Sequence, residues 1–294
     1  MPKGTLVWHV LDDPDWDQHF EYPEDVLPFF EAAAAEWSSI STADIRLHLG
    51  GVVPEEHMSR DGYNTVSVED DHAREGASYA RIWSRLGEQG RSEIFECDVG
   101  LHPNAVSSAG LGPLVHELGH CLGLAHAAGN PALNYSTPSA VWDPKPVMSY
   151  GLGRGRIEDG LPEDDRIGVS LLRPAPGWRA RTGSISGHVT LDGQPARFAP
   201  VQILRRENAG QVRRAVNAFT NEEGEFFVEG LAPAEYGVWI QPTDLAGDPH
   251  PRLVSAGAQV DVLDSVWLGS PHWVRAGAET SVGEIPVRRR PDSR

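Results

Sequence analysis

The segment from His116 to His126, HELGHCLGLAH, holds three histidines and one glutamate. On an α-helix, residues four apart lie about 40° apart around the axis and about 6 Å apart along it. His116 and His120 are therefore predicted to project from one face as two metal ligands. Gly123 predicts the end of the helix, because glycine readily adopts the left-handed conformation of a helix C-cap. The chain then returns with His126 as the third ligand.

Three histidine ligands leave a fourth position open, which is typical of a catalytic zinc site. Glu117 lies about 100° round the helix from His116, so its carboxylate is predicted beside the metal, where it acts as general base. A bare H-E-x-x-H pattern also arises by chance in buried helices. The extension G-x-x-H and an apolar opposite face favour the metal site over a core helix. That face carries Leu114, Val115, Leu118, Cys121 and Leu122.

The same segment resembles the long zinc signature of the metzincin metallopeptidases, and PVMSYG at 146–151 resembles their Met-turn. The resemblance implies one catalytic Zn²⁺ above a hydrophobic floor formed by Met148. Tyr150 resembles the tyrosine of the astacin-like and serralysin-like branches, which stabilises the oxyanion when substrate binds. LPEDDRIGVSLL at 161–172 resembles the closing helix of matrixins and serralysins. The branch stays open, because Ala127 after the third histidine matches none of them.

The resemblance implies an α+β catalytic domain, with a mixed twisted sheet and an active-site helix. Its edge strand, predicted at 77–82 (ASYARI), is expected to pair with an extended substrate. In such a domain the active-site helix packs against the strand predicted at 93–102. The resemblance therefore implies that Cys97 and Cys121 can form a disulfide. Two buried free thiols are the alternative.

Asp70, Asp71 and His72 resemble a fragment of a calcium or second-zinc loop. A solvated acidic loop is the simpler explanation and the one we prefer. A calcium ion is therefore possible in this protein, but we assign no residue as its ligand.

The composition changes near residue 174. Residues 1–174 are predicted as the catalytic domain, 175–183 as a linker, and 184–294 as a small all-β sandwich. The last part resembles the carboxypeptidase regulatory-like, transthyretin-like domains in ISGHVT (185–190), TNEEGEF (220–226) and GLAPAEYGVWI (230–240). Such domains are accessories that dock a surface, ligand or protein. Trp267 and Trp273 are expected in its core.

The formal net charge of −17 argues against nucleic acid or an anionic membrane as partner. No apolar run is long enough to span a membrane, and the N-terminus has no signal-peptide pattern. The family resemblance implies an extracellular or periplasmic, monomeric metalloendopeptidase that cleaves extended protein substrates. One alternative is a binding or adhesion protein that uses the sandwich and has a vestigial metallo domain. Another is zinc-dependent hydrolysis of a non-peptide amide.

Overall fold

A computed structural model of the chain describes residues 4–12, 27–54, 60–68, 78–87, 90, 92–103, 105, 111–127, 141–142, 146–149, 160–207, 211–241 and 266–289. The chain divides into two compact units. The first comprises Met1–Ala125, Pro146–Leu161 and Gly168–Pro176; the second comprises His126–Lys145, Pro162–Ile167 and Gly177–Arg294.

The first unit is built on a five-stranded mixed sheet. Its strands are β1 (Gly4–Asp12), β2 (Ile45–Pro54), β3 (Thr65–Val68), β4 (Tyr79–Leu86) and β5 (Ser92–Leu101). Their order is β2-β1-β3-β5-β4. Strands β1, β2, β3 and β5 run parallel to one another, whereas β4 pairs antiparallel with β5. Strand β4 is therefore an antiparallel edge strand on an otherwise parallel sheet, a common arrangement in mixed sheets.

Two helices of the first unit, α1 (Leu27–Ser38) and α2 (Gly112–Leu122), pack against this sheet. The buried face of α1 consists of Phe30, Ala33, Ala34 and Trp37. Their helical spacing brings one apolar stripe to the core. Helix α1 contacts β2 and α2, and α2 contacts β5 and β4. Helix α2, which carries the histidines, is thus held between α1 and the edge of the sheet.

The second unit contains a β-sandwich. Its strands are β6 (Val141–Trp142), β7 (Gly183–Leu191), β8 (Gln194–Pro195), β9 (Pro200–Arg206), β10 (Val212–Phe219), β11 (Glu225–Leu231), β12 (Ala234–Ile240), β13 (Val266–Val274) and β14 (Glu279–Val287). One sheet has the order β13-β12-β9-β10-β6, and the other has β11-β7-β14 with β8 paired to β7. Both contribute to one apolar core that includes Ile185, Ile203 and Val238. The chain as a whole is a mixed α/β protein with mostly strands.

Two further helices are α3 (Glu163–Leu172) and α4 (Trp178–Arg181). Helix α4 lies within the segment predicted as a linker, and Trp178 is buried. The expectation of a core position is wrong for Trp273, which is 59% exposed. Successive residues of a strand face opposite sides, and Val274 occupies the buried side here. No helix among the described residues is long and apolar enough to cross a membrane.

Candidate metal centre

Helix α2 ends at Leu122, and Gly123 is its C-cap. Gly123 has φ 103°, in the left-handed region, and its N–H donates to the His120 carbonyl at 2.9 Å. The next N–H, that of Leu124, donates to the Gly119 carbonyl at 3.0 Å. These bonds satisfy carbonyl groups that the last helical turn would otherwise leave without partners. The chain therefore leaves the helix three residues before His126.

The structure brings together the three histidines predicted as ligands. One ring nitrogen of each of His116, His120 and His126 lies within 4.8 Å of those of the other two. All three residues are half-buried. In the described part of the chain, this is the one group of three or more histidine, cysteine or acidic side chains that can hold a metal ion.

Backbone carbonyls fix the tautomers of two of these rings. The Nδ1 atom of His116 lies 2.6 Å from the Val147 carbonyl, and that of His120 lies 2.8 Å from the Leu124 carbonyl. A carbonyl oxygen only accepts, so each Nδ1 carries the proton and donates it. The Nε2 lone pairs are then the atoms that can bind a metal, as in most protein sites where the other ring nitrogen is held by a carbonyl.

The two Nε2 atoms of His116 and His120 lie 3.1 Å apart. Two lone pairs facing each other at this distance repel unless a cation lies between them. Zinc–nitrogen bonds of about 2.0–2.1 Å in a tetrahedral site place two nitrogen ligands about 3.4 Å apart. Burial lowers the pKa of His116, which favours the neutral imidazole that binds metal. The donor set and its spacing therefore fit a zinc ion.

Glu117 lies next to the ligands on helix α2 and is only 6% exposed. Burial raises the pKa of its carboxyl group to about 7. A carboxyl group that titrates near neutrality can both accept and return a proton at ordinary pH. The buried Glu117 carboxyl group is therefore a candidate for proton transfer beside the histidine group.

The predicted Met-turn lies under helix α2. Residues 146–149 form a tight turn in which the Ser149 N–H donates to the Pro146 carbonyl at 3.1 Å. Met148 is buried, and a Cβ atom at Gly119 would collide with its sulfur atom. The turn therefore approaches the helix at Gly119, between His116 and His120, and supplies the Val147 carbonyl to His116. Tyr150, Asp70, Asp71 and His72 lie outside the described residues.

Cys97 on β5 and Cys121 on α2 form a disulfide, with a Cα–Cα distance of 5.6 Å. Both residues are fully buried. The bond ties the last turn of the helix that carries His120 to the strand beneath it.

Trp37 is a supporting residue that the sequence did not identify. Its Nε1–H donates to the Val115 carbonyl at 2.9 Å, and a Cβ atom at Gly119 would lie 2.9 Å from its ring. Helical periodicity places Trp37 in the core, yet no local signal connects it with a helix 78 residues further on.

Two acidic residues of β5 hold the backbone that leads into strand β3 and begins it. The Glu96 carboxylate accepts hydrogen bonds from the Asp61 and Gly62 N–H groups at 3.1 and 2.6 Å. Asp98 accepts from the Thr65 N–H at 3.1 Å and from its hydroxyl at 2.7 Å. Both are buried, although strand alternation predicts the face opposite Cys97 as polar.

No protein-family model matches this chain, and no curated protein matches it. Solved structures give weak matches. The 5-hydroxyisourate hydrolase of Klebsiella pneumoniae is 17% identical with a TM-score of 0.22, over 37% of this chain and 98% of that one. The minor pilin GBS52 of Streptococcus agalactiae is 13% identical with a TM-score of 0.24, over 39% and 47%. The Bacillus anthracis TIE protein is 13% identical with a TM-score of 0.25, and this chain spans only 17% of its length. At these scores the likenesses carry no functional argument.

Proposed function

We propose that the chain is a zinc-dependent metalloendopeptidase of the metzincin type, which hydrolyses peptide bonds of extended protein substrates. The observation that carries the proposal is the group of three histidines. In His116 and His120 the Nδ1 atoms are held by carbonyls and the Nε2 atoms converge. A buried carboxyl group with a pKa of about 7 stands beside these histidines at Glu117.

In this proposal His116, His120 and His126 hold the ion. When bound, zinc supplies a Lewis acid that polarises the scissile carbonyl and makes water a better nucleophile. Glu117 accepts the proton of the attacking water and returns it to the leaving amine, so that it ends each cycle ionised again. By the family resemblance, we propose that the Tyr150 hydroxyl donates a hydrogen bond to the developing oxyanion.

The test is a digest of a broad peptide library with and without a chelator, beside the variant Glu117→Ala. We expect chelator-sensitive cleavage by the wild type and a loss of at least about a hundredfold in the variant, roughly the lower end of the range for a general base. Zinc content measured by mass spectrometry should stay at one ion per chain in the variant. As a matched control, Glu31→Ala removes an exposed carboxylate of α1 and should leave cleavage unchanged.

A variant that cuts as well as the wild type would exclude Glu117 as the base. A wild-type protein that holds zinc and cleaves no peptide would favour the alternative of a binding or adhesion protein.

A further inference from the structure

The exposed edge of the first unit carries a positive charge in a strongly acidic protein. Strand β4 contains Arg81 and Arg85 and no acidic residue, whereas the whole chain has a formal net charge of −17. The strand contacts helix α2, which carries His116 and His120. Among the described residues, β4 ends the sheet order, so its outer edge is available to an added strand.

The side chain of Arg81 is exposed but held in place. Its guanidinium lies 5.5 Å from the centre of the Tyr79 ring, and its Nη2 lies 3.5 Å from the Tyr79 hydroxyl. The Tyr79 ring itself rests on Gly100, where a Cβ atom would lie 2.5 Å from it. An arginine stacked on a seated aromatic ring loses less conformational freedom when it binds a carboxylate than one that is free in solvent.

No described carboxylate neutralises Arg81. Its neighbour across the strand pair is Asp98, but that side chain is buried and bonded to Thr65 on the far side of β5. Arg85, by contrast, already lies 3.8 Å from the Glu93 carboxylate. The Arg81 guanidinium therefore forms no ion pair with a described carboxylate and can bind the carboxylate of a ligand.

We infer that Arg81 makes the β4 edge selective for extended peptides that carry an aspartate or glutamate. The inference rests on the proposed function and names its substrate class. A peptide that adds to β4 places the side chain paired with position 81 on the same face as Arg81, about 4.5–5.5 Å away between Cβ atoms. A carboxylate at that register position meets the guanidinium, whereas a lysine there is repelled.

The test starts from one peptide that the wild-type protein cleaves. Each position in turn is changed to Asp, Gln or Lys, and kcat/KM is measured for every peptide. We expect one position at which Asp exceeds Gln by about threefold to fivefold, the effect of an exposed ion pair. The preference should decline in high salt, because added ions screen exposed charges.

Variants assign that preference to its residue. Arg81→Gln should abolish the difference between the Asp and Gln peptides, and Arg81→Lys should keep part of it. The matched control Arg85→Gln, on the same strand and already paired with Glu93, should leave it intact. Circular dichroism checks that each variant is folded.

The outcomes separate the inference from the function on which it rests. Equal kcat/KM for Asp and Gln at every position, or a preference that survives Arg81→Gln, overturns the inference and leaves the peptidase intact. In either case Arg81 would only discourage edge-to-edge pairing, as charges on edge strands commonly do. Absence of any chelator-sensitive cleavage overturns the proposed function, and this inference with it.

Discussion

Asp98 has an environment that its strand position does not predict, because its carboxyl group is buried on the face that strand alternation predicts as polar. Its Oδ1 atom accepts both Thr65 bonds, while its buried Oδ2 atom has no hydrogen-bond partner among the described residues. Burial raises the pKa of Asp98 to about 6. The two hydrogen bonds from Thr65 lower this pKa, whereas the nearby charges of Glu96 and Asp61 raise it further. Loss of the proton in the folded protein is therefore costly.

The sign of the pH dependence follows from these two protonation states. The folded protein keeps the Asp98 proton up to a pH of about 6, whereas the unfolded chain releases it near the ordinary aspartate pKa of 3.8. The contribution of Asp98 to stability is thus complete at pH below about 4 and declines as the pH rises to about 6. Asp98→Asn keeps the acceptor for Thr65 and does not ionise.

We expect the free energy of unfolding of Asp98→Asn, relative to the wild type, to increase between pH 4 and pH 6.5 and then to stay level. Urea denaturation at half-unit pH steps measures the difference, in which the titration of all other groups cancels. A difference that does not change with pH would show that Asp98 is not protonated differently in the two states.

The residues that sequence reasoning placed together are those joined by local geometry. His116 and His120 lie within one helix and Gly123 caps it, so their positions follow from the helical period and its C-cap. Trp37, Thr65 and Asp61 act on the site or its strand through contacts over 33 to 78 positions along the chain. Such contacts depend on which elements become neighbours, which periodicity does not determine.

At the scale of elements, the turn at 146–149 makes a close approach to helix α2. Gly119 permits it, because a Cβ atom there would collide with the Met148 sulfur and lie 2.9 Å from the Trp37 ring. The sequence predicts the apolar face of α2, but it does not explain why position 119 is a glycine. Glycine weakens a helix interior by roughly 1 kcal/mol relative to alanine, so its presence here indicates a packing requirement.

We therefore predict that Gly119→Ala destabilises the protein by about 1–2 kcal/mol, because overpacking outweighs the gain in helix propensity. The variant should also bind zinc at least several-fold more weakly, since the displaced turn carries the Val147 carbonyl that holds His116. Denaturation and competition with a zinc chelator measure the two effects.

The matched control for this substitution is Gly168→Ala in helix α3. A Cβ atom there would lie 3.0 Å from the end of the flexible Leu124 side chain. This variant should be neutral or slightly more stable, with unchanged zinc affinity. If Gly119→Ala and Gly168→Ala had the same effect, the Met148 contact would not be the reason for glycine at position 119.

At the scale of the whole chain, the boundary of the sandwich differs from a simple division near residue 184. The second unit includes residues 162–167, which begin helix α3. Glu163 is buried there and accepts a hydrogen bond from the Tyr236 hydroxyl at 2.9 Å. The Asn217 N–H donates to the Asp164 carboxylate at 3.1 Å, and Asp164 also attracts Arg214, which is 2% exposed. A change in composition indicates where a linker is flexible or polar. It does not predict hydrogen bonds and ion pairs between residues that are far apart in the sequence.

A truncation series tests this boundary. Fragments 160–294, 175–294 and 184–294 differ first by helix α3 and then by α4 with its buried Trp178. We expect 160–294 to unfold cooperatively, and each shorter fragment to be less stable, by a total of about 3 kcal/mol or more at 184–294. The reason is that Tyr236 and Arg214 lose buried partners whose absence leaves polar groups unsatisfied. Denaturation curves of the three fragments give the result directly. Equal midpoints for 160–294 and 184–294 would mean that the sandwich is complete without the helix, as the composition of the sequence alone predicts.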